Sequence, residues 1–320
     1  MGMRYAKIGD LNSSRIVLGT DHFGSITTRE DAFRLMDLFR DLGGNHLDTA
    51  RLYSRGMSES VIGAYFRERG KGNWIITTKG AHPDVHTMQV PRLSREEIAS
   101  DLEGSLFALG TDCIDLYLLH RDDRTREVGE ILETLNGFIR EGKVRQIGCS
   151  NWRTDRIREA NRYAMEHGLV GFSVSQIQMS IAHTLPGAKV DRTTVEMDPG
   201  EYAGYRELGL PVMAFSSQAC GFFSVYAEGT EEKLKTGIRS VFYGEENLKK
   251  AEYVKTLAEK YGVSAAAVVV ASVLSRENPD VFALIGGKRP DMITDSVSGA
   301  DLLLSEKENE FLFGGITYAS

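Results

Sequence analysis

The chain has 320 residues, 42% of them hydrophobic and 26% charged, with a formal net charge of −7. That is enough apolar material for one large core or two ordinary ones, and the acidic balance argues against a general nucleic-acid-binding or anionic-membrane surface. The N-terminal MGMRYAKIGD lacks a signal-peptide core, no apolar run reaches the ~18 residues of a spanning helix, and Cys113, Cys149 and Cys220 lack metal-type spacing, so a cytoplasmic setting is the simplest expectation.

Short apolar runs with strand character recur at 16–20, 45–50, 74–79, 113–120, 144–150, 172–178, 211–217 and 281–287. Amphipathic helical patterns fill 29–43, 58–70, 94–110, 126–142, 153–168 and 245–262. Gly43 and Gly44 stop the first helix, and Ser58 reads as the cap of the second, which ends at Gly70. Ser94 with Glu97 three residues on forms a capping box. The Ala- and Val-rich stretch 263–275 reads as a buried helix. Longer connections at 80–93, 180–200 and 218–244 each follow a strand, and no composition shift marks a linker. Eight strands alternating with helices predict an α/β fold, a single (β/α)8 TIM barrel over residues 1–320. The long connections then fall on the rim where such barrels carry their chemistry.

Asp48, Tyr53, Lys79 and His120 close, or directly follow, three successive strands of this pattern. Converging strand ends would bring a carboxylate, a phenol, an ammonium and an imidazole to one mouth. A free phenol, with a pKa near ~10, is poorly matched to proton traffic at neutral pH. A nearby ammonium is expected to lower that pKa, with the carboxylate holding the ammonium in place. Taken singly, Tyr53 also reads as a rim residue and His120 as a satisfied strand-end histidine. The seven histidines are scattered and offer no metal-ligand cluster.

The segments DTARLY…SE (48–53, 58–59), TKG (78–80), LLHRDD (118–123), IGCSNW (147–152) and GGKRPD (286–291) resemble, in order and spacing, the aldo-keto reductases. The resemblance implies an NAD(P)H-dependent oxidoreductase with Tyr53 as general acid, Lys79 and Asp48 as its tuning pair and His120 orienting a substrate carbonyl. It places Ser150, Asn151 and Gln176 on the nicotinamide carboxamide, Phe215 on the ring, and Ser216 and the loop to Gly221 near the pyrophosphate. Thr20 and Asp21 would approach the ribose.

The C-terminal tail bears on cofactor choice. Lys288 and Arg289 would pair with a 2′-phosphate approached by Gly286 and Gly287, or else form a solvated surface pair. Met292 stands where many family members carry Arg, and Ser296 replaces the usual Asn, whereas Asp295 is acidic as expected. NADP(H) is favoured, with NAD(H) open. His22, Phe23, His82, Arg121, Asp122 and Trp152 are expected to line the substrate pocket. Arg121 would hold a carboxylate, phosphate or sugar hydroxyl, or pair only with Asp122. The expected substrate is therefore a small polar aldehyde, ketone or sugar. The alternatives are an NAD(P)+-dependent sugar or polyol dehydrogenase and a non-catalytic cofactor-binding regulatory subunit. No nucleic-acid or membrane partner is expected, and the sequence leaves oligomeric state open.

Overall fold

The computed structural model describes residues 2–188, 191–276 and 278–314, so both ends of the expected 1–320 unit and part of the 180–200 connection lie outside the described residues. A hairpin of β1 (Tyr5–Ile8) and β2 (Leu11–Ser14) comes first. Eight parallel strands follow: β3 (Ile16–Gly19), β4 (His46–Asp48), β5 (Ile75–Gly80), β6 (Ile114–Leu119), β7 (Val144–Ser150), β8 (Ser175–Gln178), β9 (Val212–Phe215) and β10 (Val281–Ile285). They close into a barrel in which β10 pairs with both β9 and β3. The (β/α)8 architecture is the one the alternation predicts.

Side-chain direction alternates along each strand and sorts the core into two layers. Val17, Ile75, Leu116, Leu118, Val174, Met213 and Phe282 fill the barrel interior together with Ile8 and Leu11 of the hairpin. The intervening residues, such as Ile16, Ile76, Tyr117, Leu119 and Ala283, pack outward on the helices. Ile8 is fully buried and Leu11 is 3% exposed, so the hairpin stoppers the N-terminal end of the barrel. Following the same parity toward the other end brings Asp48, Lys79 and Gln176 to the interior face of the open mouth.

Helix ends largely follow the capping rules. Ser94 forms the expected capping box before the helix Arg95–Leu109, and Ser264 caps the buried helix Ala265–Leu274. Ser58 does not cap its helix, which begins one residue earlier at Met57 and is entered through left-handed Gly56. Features beyond the sequence pattern include the N-terminal hairpin, the helix Pro199–Leu208, a β9–β10 connection that contains Phe222–Ala227 and Thr236–Phe242 before its two longer helices, and the C-terminal helix Glu306–Phe313. Cys113 stands just ahead of β6 rather than within it. No single described helix is long and apolar enough to cross a membrane; Glu245–Tyr261 with Ala265–Leu274 satisfy that test only as a pair bent by 100°.

Candidate active site

Lys79 sits at the centre of the mouth, with no solvent exposure. Its Nζ donates to Asp48 Oδ1 at 2.6 Å, to the Thr49 carbonyl at 2.8 Å and to the Tyr53 hydroxyl at 3.2 Å. Three acceptors match the three protons of an ammonium, which is how a buried charge is kept satisfied. The other oxygen of Asp48 accepts from Gln176 Nε2 at 2.7 Å, so the carboxylate joins β4 to β8 across the barrel. Tyr53 lies in a turn after β4 in which Ser54 and Arg55 are left-handed, at φ 50° and 58°. Its ring meets that of His120 edge-on at 5.8 Å. His82 packs edge-on against the other side of His120, at 4.6 Å.

Burial dominates the electrostatics. It pushes the Asp48 carboxyl above its ordinary value, and Lys79 and Gln176 only partly offset that. It works against the Lys79 ammonium too, yet Asp48 and Tyr53 outweigh it and hold that pKa above the usual lysine value. For Tyr53, burial raises the phenol, Lys79 draws it down and Asp48 raises it again, with a net upward shift. The expectation that Lys79 would bring Tyr53 below its ordinary value is corrected: the phenol is held protonated through neutrality. Burial, then the positive charge of Lys79, drives His120 well below the normal histidine range, so its imidazole is neutral. Its Nδ1 is buried without a hydrogen-bond partner among the described residues. His82 is lowered by burial, and its Nδ1 lies 2.6 Å from the Pro83 carbonyl. That contact requires the proton on Nδ1 and leaves Nε2 as an acceptor.

The expected carboxamide readers gather at the ends of β7 and β8. Ser150 Oγ accepts from Asn151 Nδ2 at 2.9 Å, and Asn151, itself left-handed at φ 60°, takes the Val195 N–H on its Oδ1 at 3.0 Å. With Nε2 committed to Asp48, Gln176 has its carbonyl to offer a ligand N–H. Phe215 ends β9 and is partly exposed. The loop beyond it takes positive φ at Ser216, Ala219, Cys220 and Gly221. A β-carbon at Gly221 or Gly286 would meet only open space. A backbone cradle, a partly exposed aromatic, the Gln176 carbonyl and the Ser150 hydroxyl proton on one rim fit a nicotinamide dinucleotide. The Asn151 amide, by contrast, is already engaged by Val195, Ser150 and the His120 carbonyl.

Several expected site residues are engaged elsewhere. Thr20 is fully buried, its hydroxyl donating to the Asp48 carbonyl at 2.9 Å and contacting Ser58. Asp21 is exposed and paired with His22 at 3.2 Å, which holds its carboxyl below the usual range. His22 Nε2 lies 3.0 Å from the Gly287 carbonyl and so ties the β3 and β10 loops together. Lys288 is exposed, whereas Arg289 forks onto Asp291 at 2.8–3.3 Å. Asp295 is exposed, and Ser296, 2% exposed, accepts from Gln218 Nε2 at 3.0 Å.

Several substrate-pocket expectations, those for Trp152, Arg121, Asp122 and Phe23, are corrected. Trp152 is fully buried, its ring edge-on to Phe172 and beneath Arg156, and presents nothing to a substrate. Arg121 is not paired with Asp122. It donates to Asp191 at 2.8 Å, Thr193 at 2.7 Å and the His120 carbonyl at 2.7 Å, so it fastens the connection after β8 over the mouth. Asp122 instead lies 3.7 Å from Arg156. Phe23 is buried in the outer core. Sequence reasoning had no signal for Asp191 or for the Asp48–Gln176 contact, both of which join residues far apart in the chain.

Fold and rim together define a barrel enzyme with buried proton-handling groups at its open end. A model described as the aldo/keto reductase family matches residues 15–312, and the chain belongs to that family. It is thus an oxidoreductase of a family that generally uses NAD(P)H and acts on small-molecule carbonyl substrates. It is similar to the uncharacterized oxidoreductase YrpG of Bacillus subtilis (strain 168), with 31% identity over 95% of this chain and 93% of the relative. An aryl-alcohol dehydrogenase of Pestalotiopsis microspora is 28% identical over 88% of this chain and 71% of its own length. A norsolorinic acid reductase of Emericella nidulans is also 28% identical, over 94% and 78% respectively.

Proposed function

We propose that this chain is an NADP(H)-dependent reductase of small aldehydes and ketones, working as one barrel unit with Tyr53 as proton donor. The observation that carries the reading is the Tyr53 hydroxyl serving as third acceptor of an ammonium that also binds Asp48. The bound nicotinamide would supply the hydride. Tyr53 stands ready to protonate the carbonyl oxygen as negative charge develops there, and neutral His120 beside it would orient that oxygen by a hydrogen bond. Lys79 stabilises the phenolate left behind, and Asp48 keeps Lys79 in place. Ser150 and the Gln176 carbonyl are the proposed partners of the carboxamide, with Phe215 beneath the ring. Thr20, buried with its hydroxyl, N–H and carbonyl all engaged, drops out of the ribose contact, and Asp21, Ser216, Gly286, Gly287, Asp295 and Ser296 belong to the proposed nucleotide rim.

A phenol held protonated through neutrality is in the form that reduction starts from, whereas oxidation would start from the phenolate. The proposed substrate is uncharged: Arg121, the expected anion holder, already has its charge paired with Asp191 and three of its five N–H donors on Asp191, Thr193 and His120. Tyr53, His82, His120 and Phe215 supply rings instead, so aryl aldehydes join simple sugars as candidates. The aryl-alcohol dehydrogenase named among the relatives supports the aromatic choice.

Tyr53→Phe tests the reading. It should lower kcat by roughly 10²–10⁴-fold across several carbonyls while nucleotide affinity stays unchanged. Wild-type turnover by the variant would remove Tyr53 from the donor role.

A further inference from the structure

The motif dipeptide Ser58-Glu59 has no place in the chemistry so far, yet both residues are fully buried in the first turn of the helix Met57–Arg69. Glu59 Oε1 accepts from Thr78 Oγ1 at 2.6 Å, and its Oε2 lies 3.3 Å from Arg51 Nη1. Thr78 faces outward on β5, next to inward-facing Lys79. Arg51 stands two residues before Tyr53, and its backbone N–H donates to the Lys79 carbonyl at 2.9 Å. One carboxylate therefore grips, from behind the barrel wall, the strand that carries Lys79 and the loop that carries Tyr53.

The surroundings are built for that grip. A β-carbon at Gly56 would collide with the Arg51 guanidinium, and one at Gly104 would lie 2.7 Å from Arg51 Nε, so two glycines keep its path open. Between Tyr53 and the helix, Ser54, Arg55 and Gly56 are all left-handed, at φ 50°, 58° and 83°. Non-glycine residues hold such angles only where their neighbours over-determine them. Ser58 adds a second brace: its Oγ donates to the Thr20 carbonyl at 2.8 Å and meets the Thr20 and Thr49 hydroxyls at 2.8 and 2.9 Å. The Thr49 carbonyl is in turn an acceptor of the Lys79 ammonium, at 2.8 Å.

We propose that Glu59, through its pairing with Arg51 and Thr78, is a positioning residue that sets the separation of Tyr53 from Lys79. The proposal rests on the roles given to Tyr53 and Lys79 above. Glu59→Gln in the full-length protein keeps the shape and the acceptor for Thr78 but removes the charge that holds Arg51. It should lower kcat by about tenfold, as expected for a sub-ångström misplacement of a reacting group. The carbonyl KM and the nucleotide Kd should stay within about twofold of wild type.

The groups acting on the phenol are Lys79, Asp48 and Asp21, with His120 against its ring. Among these Lys79 alone lowers its pKa. Loosening Lys79 therefore moves the alkaline limb of the kcat profile to higher pH. Arg51→Lys, which keeps the charge, should fall between wild type and Glu59→Gln, and it serves as the test if Glu59→Gln does not fold. A lower Tm with kcat and the alkaline limb unchanged would reduce Glu59 to a structural residue and overturn the proposal. If the wild type turns over no carbonyl, the catalytic reading fails on its own. The Tyr53–Lys79 separation in a crystal structure of Glu59→Gln, or of Arg51→Lys, then decides the positioning role: a lengthened contact supports it and an unchanged one overturns it.

Discussion

His46 is fully buried inside the barrel. It occupies the β4 position two before Asp48 and points into the barrel, with Nδ1 2.7 Å from Ser13 Oγ and Nε2 2.6 Å from Thr77 Oγ1. Burial, reinforced by Lys79 above it, pushes its pKa down to about 3. An unfolded chain would protonate this histidine near its ordinary ~6.5. Between those two values the unfolded state binds the extra proton, so stability rises with pH there and is lost on acidification. From pH 7 to pH 5 the loss through this one group is about 2 kcal/mol. His46→Gln should therefore show a smaller drop in Tm over that interval than the wild type; equal drops would mean that His46 is not the sensor. Tyr53 teaches the complementary lesson. The phenol, ammonium and carboxylate were legible as a group from their places at strand ends. The sign of the phenol's shift was not, because burial outweighs the ammonium and no sequence shows burial.

At the scale of elements, the alternation of strands and helices was legible because each parallel strand is buried on both faces and reads as a short apolar run. The hairpin of β1 and β2 was not, since four-residue strands with mixed polarity look like a coil. Only the fold shows that Ile8 and Leu11 complete the interior layer. Ile8→Ala should cost about 2–5 kcal/mol, seen as a lower urea midpoint, with kcat unaffected because the mouth is at the other end. An unchanged midpoint would show that the hairpin is not part of the core. The helix Pro199–Leu208 escaped for a different reason: its Asp198 cap and leading proline fall at the end of a long polar connection that masks the helical period. Arg121 shows the same limit. Its neighbour in sequence was the natural partner, but the fold gives it Asp191, seventy residues on.

At the scale of the whole molecule, the loops after β3, β9 and β10 are laced together by His22 with Gly287 and by Gln218 with Ser296. A nucleotide lying across that rim would bind only the folded state, and so would stabilise it by linkage, by about 2.7 kcal/mol at a hundredfold excess over Kd, and raise Tm. NADPH should stabilise more than NADH at equal concentration, and Lys288→Ala should reduce that difference by about tenfold in affinity, one charge-assisted contact. Equal stabilisation of the wild type by the two nucleotides would remove Lys288 from the proposed 2′-phosphate contact. Arg289 is already satisfied by Asp291 and is the weaker candidate.

Asp48 divides its two oxygens between Lys79 on one wall and Gln176 on the opposite one. Proton handling and nucleotide reading, as proposed here, thereby share a single carboxylate. Drift at that carboxylate would degrade both traits together, so lineages descending from this barrel are confined at its centre. Their freedom to exchange one dinucleotide for another, or to admit new carbonyls, lies out on the loops.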